Sequence, residues 1–411
     1  MKKIILLTVL FFCFNVTAQS INIGERIVIQ SKHLNDEREL LIYTPPSYHF
    51  NEKSKYPVLY VVDGDYNFHY VTGLVELLSS ISKNIPEMIV VGLSSKGTPT
   101  YRKNSKPPYD VKDKGNADKT VAHIKEEVVT YINKNYKTNG YQILAGHSIG
   151  GLFTTYAMIN NPKFFNSYIA ISPALWWEDE ALKKQIEIGF KKKQPLPANY
   201  YITLANEKGM GVHGFLELLE SKGPRSLNLK FKHFPDESHG SVGMASYRWA
   251  LEDMFADFRV EEGYFKDAKS VESYHKKLQE NYQTSLHIAA GFLRSTAYAY
   301  SKDKKSRASI GKALAKYFPN QIDEYRNIQI AGLIQAKRLD EARKILVKAL
   351  RNNKNNFETL ANQASLFTLD NKPKDALKAI EKAIAIARRK NIRTWLLNEL
   401  LDQRDKILVN I

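Results

Sequence analysis

Between residues 26 and 234 short apolar runs alternate with longer stretches in which apolar positions recur every three or four residues. The runs predict strands at 26–31, 38–44, 57–63, 88–93, 142–146, 167–172, 200–205 and 229–234. Those in the middle are rich in Val, Ile and Leu, the composition of strands covered by helices on both faces. The first two flank the polar turn His33-Leu34-Asn35-Asp36 and read as an antiparallel hairpin entering the sheet. Helical spacing fills the later gaps, at 120–135 and 240–258 for example. The expected fold class is α/β, with an eight-strand, mostly parallel sheet.

Beyond about Glu262 the strand pattern stops and helical periodicity takes over. Ala308, Ala342 and Ala376 lie 34 residues apart, as do Ala315, Ala349 and Ala383, and Leu346 and Ile380 keep the same register. Small residues at a 34-residue period mark helical hairpins of the tetratricopeptide kind, each burying its face against the next. The chain therefore divides into residues 19–262, an α/β unit, and 263–411, an all-α repeat unit.

Residues 141–151 run as an apolar strand into Gly146-x-Ser148-x-Gly150 and on into a helix-compatible stretch at 152–160. A serine on such a strand-to-helix turn is exposed by backbone strain, and the turn tolerates no bulk two positions to either side. An activated serine also needs a base, an acid to orient the base, and N–H groups where the oxyanion develops. His239 stands on the loop after the last strand, where this order of elements puts the base. His147, beside the serine, is expected to point away. Glu207 follows the strand at 200–205 and is the preferred acid. Asp236 and Glu237 compete with it, and a serine–histidine dyad without a strong acid is a further arrangement. The oxyanion donors are expected from the N–H of Ile149 and from Gly64 or Asp65, where glycine would let the backbone approach the substrate. Two insertions are candidates for the pocket: a polar loop at 94–116 carrying Tyr101, Arg102, Lys103 and Lys106, and the segment after Pro173 with Trp176 and Trp177. Adjacent tryptophans do not both bury easily, so one is expected to face a cleft.

Charge separates the two units. Residues 263–411 carry 29 lysines and arginines against 15 acids, while the rest of the chain is near neutral. A basic lobe suits anionic lipid, polysaccharide or a protein partner, or simply a solvated helical surface. No nucleic-acid-binding signature accompanies it. Residues 1–18 have the layout of a secretory signal peptide, Lys2-Lys3 followed by an apolar core and Val16-Thr17-Ala18, which predicts an exported protein, periplasmic or secreted. The apolar run is too short to span a bilayer. Cys13, the one cysteine, falls inside it, so no disulfide, thiol nucleophile or cysteine metal site is expected afterwards.

Taken together, 58–65, 145–152, Ile171-Ser172-Pro173-Ala174-Leu175-Trp176-Trp177 and His239-Gly240-Ser241-Val242 resemble the family described as Putative esterase, which contains siderophore esterases, esterase D, feruloyl esterases and mycolyltransferases. The resemblance covers roughly 24–260. It implies the α/β-hydrolase fold, Ser148 as nucleophile and His239 as base. The segment Arg102-Lys103-Asn104-Ser105-Lys106-Pro107-Pro108 matches the siderophore-esterase branch only loosely, so that branch's substrate does not carry over. The expected activity is hydrolysis of a small-molecule ester without metal or organic cofactor. The alternative is a scaffold whose repeats bind a protein partner and whose hydrolase unit is inactive or secondary.

Overall fold

The computed structural model describes residues 22–49, 52–109, 114–409 and 411. The signal-peptide segment lies outside the described residues. Eight strands, β1 (Glu25–Ser31), β2 (Asp36–Tyr43), β3 (Tyr56–Val61), β4 (Ile89–Leu93), β5 (Thr138–His147), β6 (Ser167–Ile171), β7 (Asn199–Leu204) and β8 (Asn228–His233), form one sheet in the order β1-β2-β4-β3-β5-β6-β7-β8. β1 pairs antiparallel with β2, and β2 with β4; every other pairing is parallel. All residues of β3, β4 and β6 are buried, which is why their sequences read as continuous apolar runs rather than alternating ones.

Side chains of these strands divide by parity between two cores. Leu59, Val61, Ile143, Ala145, Ile169 and Ile171 face one layer; Val58, Tyr60, Leu144, Tyr168 and Ala170 face the other. The helix Ile149–Asn160 follows β5 at once, as the sequence predicts. The 94–116 segment is not simply a loop: it contains the helix Thr98–Ser105. Its first turn has Pro99, whose fixed φ suits the start of a helix, but its polar composition hides any apolar stripe.

From Ala268 onward all elements are helices, yet the core does not part at residue 262. The layer under the sheet continues through Tyr247, Phe255 and Phe258 to Tyr274, Tyr282, Phe292, Phe318 and Tyr325. Phe255 and Tyr282 stack with centroids 5.4 Å apart, and the Tyr274 hydroxyl donates to the Phe258 carbonyl at 2.5 Å. Further along, Ile322–Gln335 with Leu339–Asn352 and Phe357–Leu369 with Pro373–Arg389 form successive hairpins. Ala342 and Ala376, Leu346 and Ile380, and Ala349 and Ala383 are buried at equivalent places. Ala308 and Ala315 do not join them: both are exposed, and in the helix Lys304–Tyr317 the buried positions are Arg307, Ile310, Ala313 and Leu314. The 34-residue alignment is out of register there because Arg307 and Leu314, 35 residues before Ala342 and Ala349, are the ones turned inward. The last helices return to the α/β unit, where Lys390 pairs with Glu52 at 2.5 Å and Arg393 pairs with Glu76.

Candidate active site

At the end of β5 the chain turns sharply into its helix, and Ser148 holds φ 57° and ψ −114°. A non-glycine residue in such a conformation costs on the order of 1–3 kcal/mol and persists only where its surroundings enforce it. Here the Ser148 N–H donates to the Ile171 carbonyl at 2.9 Å, and its own carbonyl accepts from Leu152 and Ala174, each at 3.0 Å. The flanking glycines are steric necessities. A Cβ on Gly146 would lie 2.4 Å from the Gly150 carbonyl oxygen, and one on Gly150 would lie 2.8 Å from the Tyr101 hydroxyl.

His239 sits on the turn after β8. Its Nδ1 faces Oε1 of Glu207 at 3.1 Å, leaving Nε2 as the nitrogen available for proton transfer. The loops that carry Glu207 and His239 are strapped together by the Asn206 N–H donating to the Glu237 carbonyl at 2.9 Å. The Glu237 carboxylate accepts from the Ser241 hydroxyl at 2.5 Å, so it shapes its own turn, and Asp236 is exposed. Burial alone would raise the Glu207 pKa, but Ser172 and His239 beside it outweigh burial and hold it below the usual carboxylate value. The three side chains share a cavity of about 410 Å³, which is also lined by Ile149, Tyr66, Tyr101, Arg102, Trp176 and Met210.

The remaining sequence-derived candidates divide. Trp176 is half exposed on the cavity wall, whereas Trp177 is buried and packs near Tyr109, with ring centroids 6.5 Å apart, so only the first of the pair faces the cleft. Gly64 and Asp65 open the helix Gly64–Glu76, where the first N–H groups have no partner within the helix. Gly64 is glycine for a different reason from the one expected: a Cβ would lie 2.7 Å from the Gly92 backbone on β4. The Asp65 carboxylate accepts from the Ser94 hydroxyl and the Ser95 N–H, both at 2.6 Å.

His147 does not point away. Its ring centroid is 4.6 Å from that of His239, with the planes tilted by 39°. Beneath it the fully buried Asp63 accepts the His147 N–H at 2.9 Å, and burial pushes that carboxyl up to about 6. Sequence reasoning also passed over Tyr66 and Met210. The only signals for them were an aromatic residue one position after Asp65 and a methionine between Gly209 and Gly211.

Residues 31–199 match the model of the family described as Putative esterase. The chain is 25% identical over 218 residues to the ferri-bacillibactin esterase BesA of Bacillus subtilis, an alignment covering 46% of this chain and 74% of that protein. Its fold is similar to that of an IroE-like serine hydrolase from Shewanella oneidensis, with a TM-score of 0.63 and 21% identity across 72% of this chain and 99% of the other. An uncharacterised protein from Capnocytophaga ochracea aligns over 94% of this chain and all of its own, with a TM-score of 0.51 and 15% identity, so the similarity in fold extends through the helical region. The eight-strand sheet, the elbow and these relatives agree: the chain has the α/β-hydrolase fold, residues 31–199 are similar to the Putative esterase family, and the relatives support an esterase.

Proposed function

We propose that the protein hydrolyses a small-molecule carboxylic ester through an acyl-enzyme, with Ser148 as nucleophile, His239 as general base and Glu207 orienting the base. The observation that carries this reading is the strained Ser148 sharing one cavity with a histidine whose other nitrogen is held by a carboxylate. Ser148 Oγ attacks the ester carbonyl as its proton passes to His239 Nε2. The tetrahedral intermediate collapses, and the same proton leaves with the alcohol. Water then repeats the sequence on the acyl-enzyme, giving the acid and free Ser148. The Ile149 N–H, with the first N–H groups of the helix at Gly64 and Asp65, is the proposed oxyanion hole. Three aromatic walls, Tyr66, Tyr101 and Trp176, suit a planar group on the substrate, and Arg102 suits an anionic one. The signal-like segment supports export, and no described helix is long and apolar enough to cross a membrane. The repeats would add a surface for a protein partner.

The test is turnover of p-nitrophenyl esters from acetate to octanoate by the wild type and by Ser148→Ala. Loss of at least about 10⁴-fold in kcat is expected. Equal turnover in both would overturn the assignment.

A further inference from the structure

His239 is held by one side-chain hydrogen bond, to Glu207, and its side chain is 40% exposed. A single bond at Nδ1 leaves the ring free to swing about its own tether. Beside it stands His147. Its ring packs on His239 at 4.6 Å, and its Nε2 is buried without a hydrogen-bond partner. Its backbone N–H is anchored on the buried Asp63. A buried ring nitrogen without a partner is ordinarily a net cost, and the ring's other contact is with the backbone of His239 itself. Burial, then the neighbouring His239, holds its pKa down to about 4, so the ring stays neutral as a partner takes up a proton.

We propose that His147 is a positioning residue for the general base: its flat, neutral ring is the wall that holds His239 aligned with the elbow. This rests on the roles given above to Ser148 and His239. The groups that face the pair are Glu207 from the loop after β7, Asp63 from the end of β3, and Tyr101 and Arg102 across the cavity. Because His147 adjoins Ser148 in the chain, the wall and the nucleophile are mounted on the same turn. Removing the wall misplaces the base in the reaction while leaving substrate contacts in place, and misplacement by about 1 Å costs on the order of 100-fold.

The experiment measures kcat and KM on p-nitrophenyl acetate from pH 5 to 9 for His147→Ala, His147→Gln and His147→Phe, with Ser148→Ala alongside and thermal unfolding of each. For His147→Ala, kcat is expected to fall roughly 10- to 100-fold with KM within about twofold. His147→Gln, which keeps polar bulk without a flat ring, should fall with it, and His147→Phe should recover most of the loss. Gln at wild-type kcat, or Phe no better than Gln while both unfold like the wild type, overturns the proposal. Should Ser148→Ala itself retain turnover, the reading of the whole site fails instead.

Discussion

Two of the clusters of serine, histidine and glutamate among the described residues are built for opposite ends. At the seam between the sheet and the helical region, the Ser54 hydroxyl lies 2.7 Å from His287 Nδ1, and His287 Nε2 lies 3.3 Å from Glu324. Ser54 and His287 are both buried, and no unusual φ strains the serine. Burial disfavours a charged His287, but Glu324 and Glu87 outweigh it and hold its pKa above the ordinary value. A protonated ring donates to both neighbours and has no lone pair with which to take the proton of Ser54. In the cavity, by contrast, the serine is strained and partly exposed, and the histidine meets its acid through Nδ1. Residue types therefore do not make a nucleophile; backbone strain, access and the free nitrogen of the base do.

The comparison breaks most completely by truncation. A chain ending at Glu262 keeps every cavity residue but loses His287 and Glu324. It also uncovers Tyr141, Phe255 and Phe258, which pack against Tyr274, Tyr282 and Phe292. Loss of the folded state is expected, read as a flat near-ultraviolet circular dichroism spectrum. A soluble, active fragment would show that the seam is dispensable.

A paired substitution comes next. Glu207→Gln is expected to lower kcat roughly 10²- to 10³-fold with little change in KM or melting temperature, because it loosens the base. Glu324→Gln should leave turnover within about twofold and lower stability by on the order of 1–3 kcal/mol, since it weakens a buried charged contact. Exchanged outcomes would mean the two clusters have been assigned the wrong way round.

The smallest effect is a pH dependence. His287 has a raised folded pKa, so its stabilisation is fully present below about 6.5 and is lost as pH rises through the folded value. Glu324 and Glu87 face it, and Lys137 opposes them. Glu358, pushed up to about 7 by burial and by Glu324, acts in the same direction between about 4.5 and 7. The melting temperature is expected to fall on alkalinisation, and His287→Gln should flatten that slope. An unchanged slope would assign the effect to groups elsewhere.

The sheet was legible because strands covered on both faces cannot avoid continuous apolar runs, and Ser148 because glycine stands two positions to either side of it, at 146 against the backbone of Gly150 and at 150 against the Tyr101 hydroxyl. His239 and Glu207 were placed by the order of strands, and the structure sets them together. The helix Thr98–Ser105 stayed hidden under polar composition. His147 was placed on the wrong side, since whether a side chain beside a strained turn folds over the site depends on contacts such as the one its backbone makes with Asp63, 84 residues away. The seam cluster was equally invisible: Ser54 and His287 are 233 residues apart, and neither lies in a recognisable motif.

The strap between Asn206 and Glu237 has a mechanical consequence. One backbone hydrogen bond ties the loop of Glu207 to the loop of His239, so a displacement of either loop would draw the other with it. Such a coupled shift would alter the gap between the imidazole and the Ser148 hydroxyl more than the gap between the imidazole and the carboxylate that travels with it.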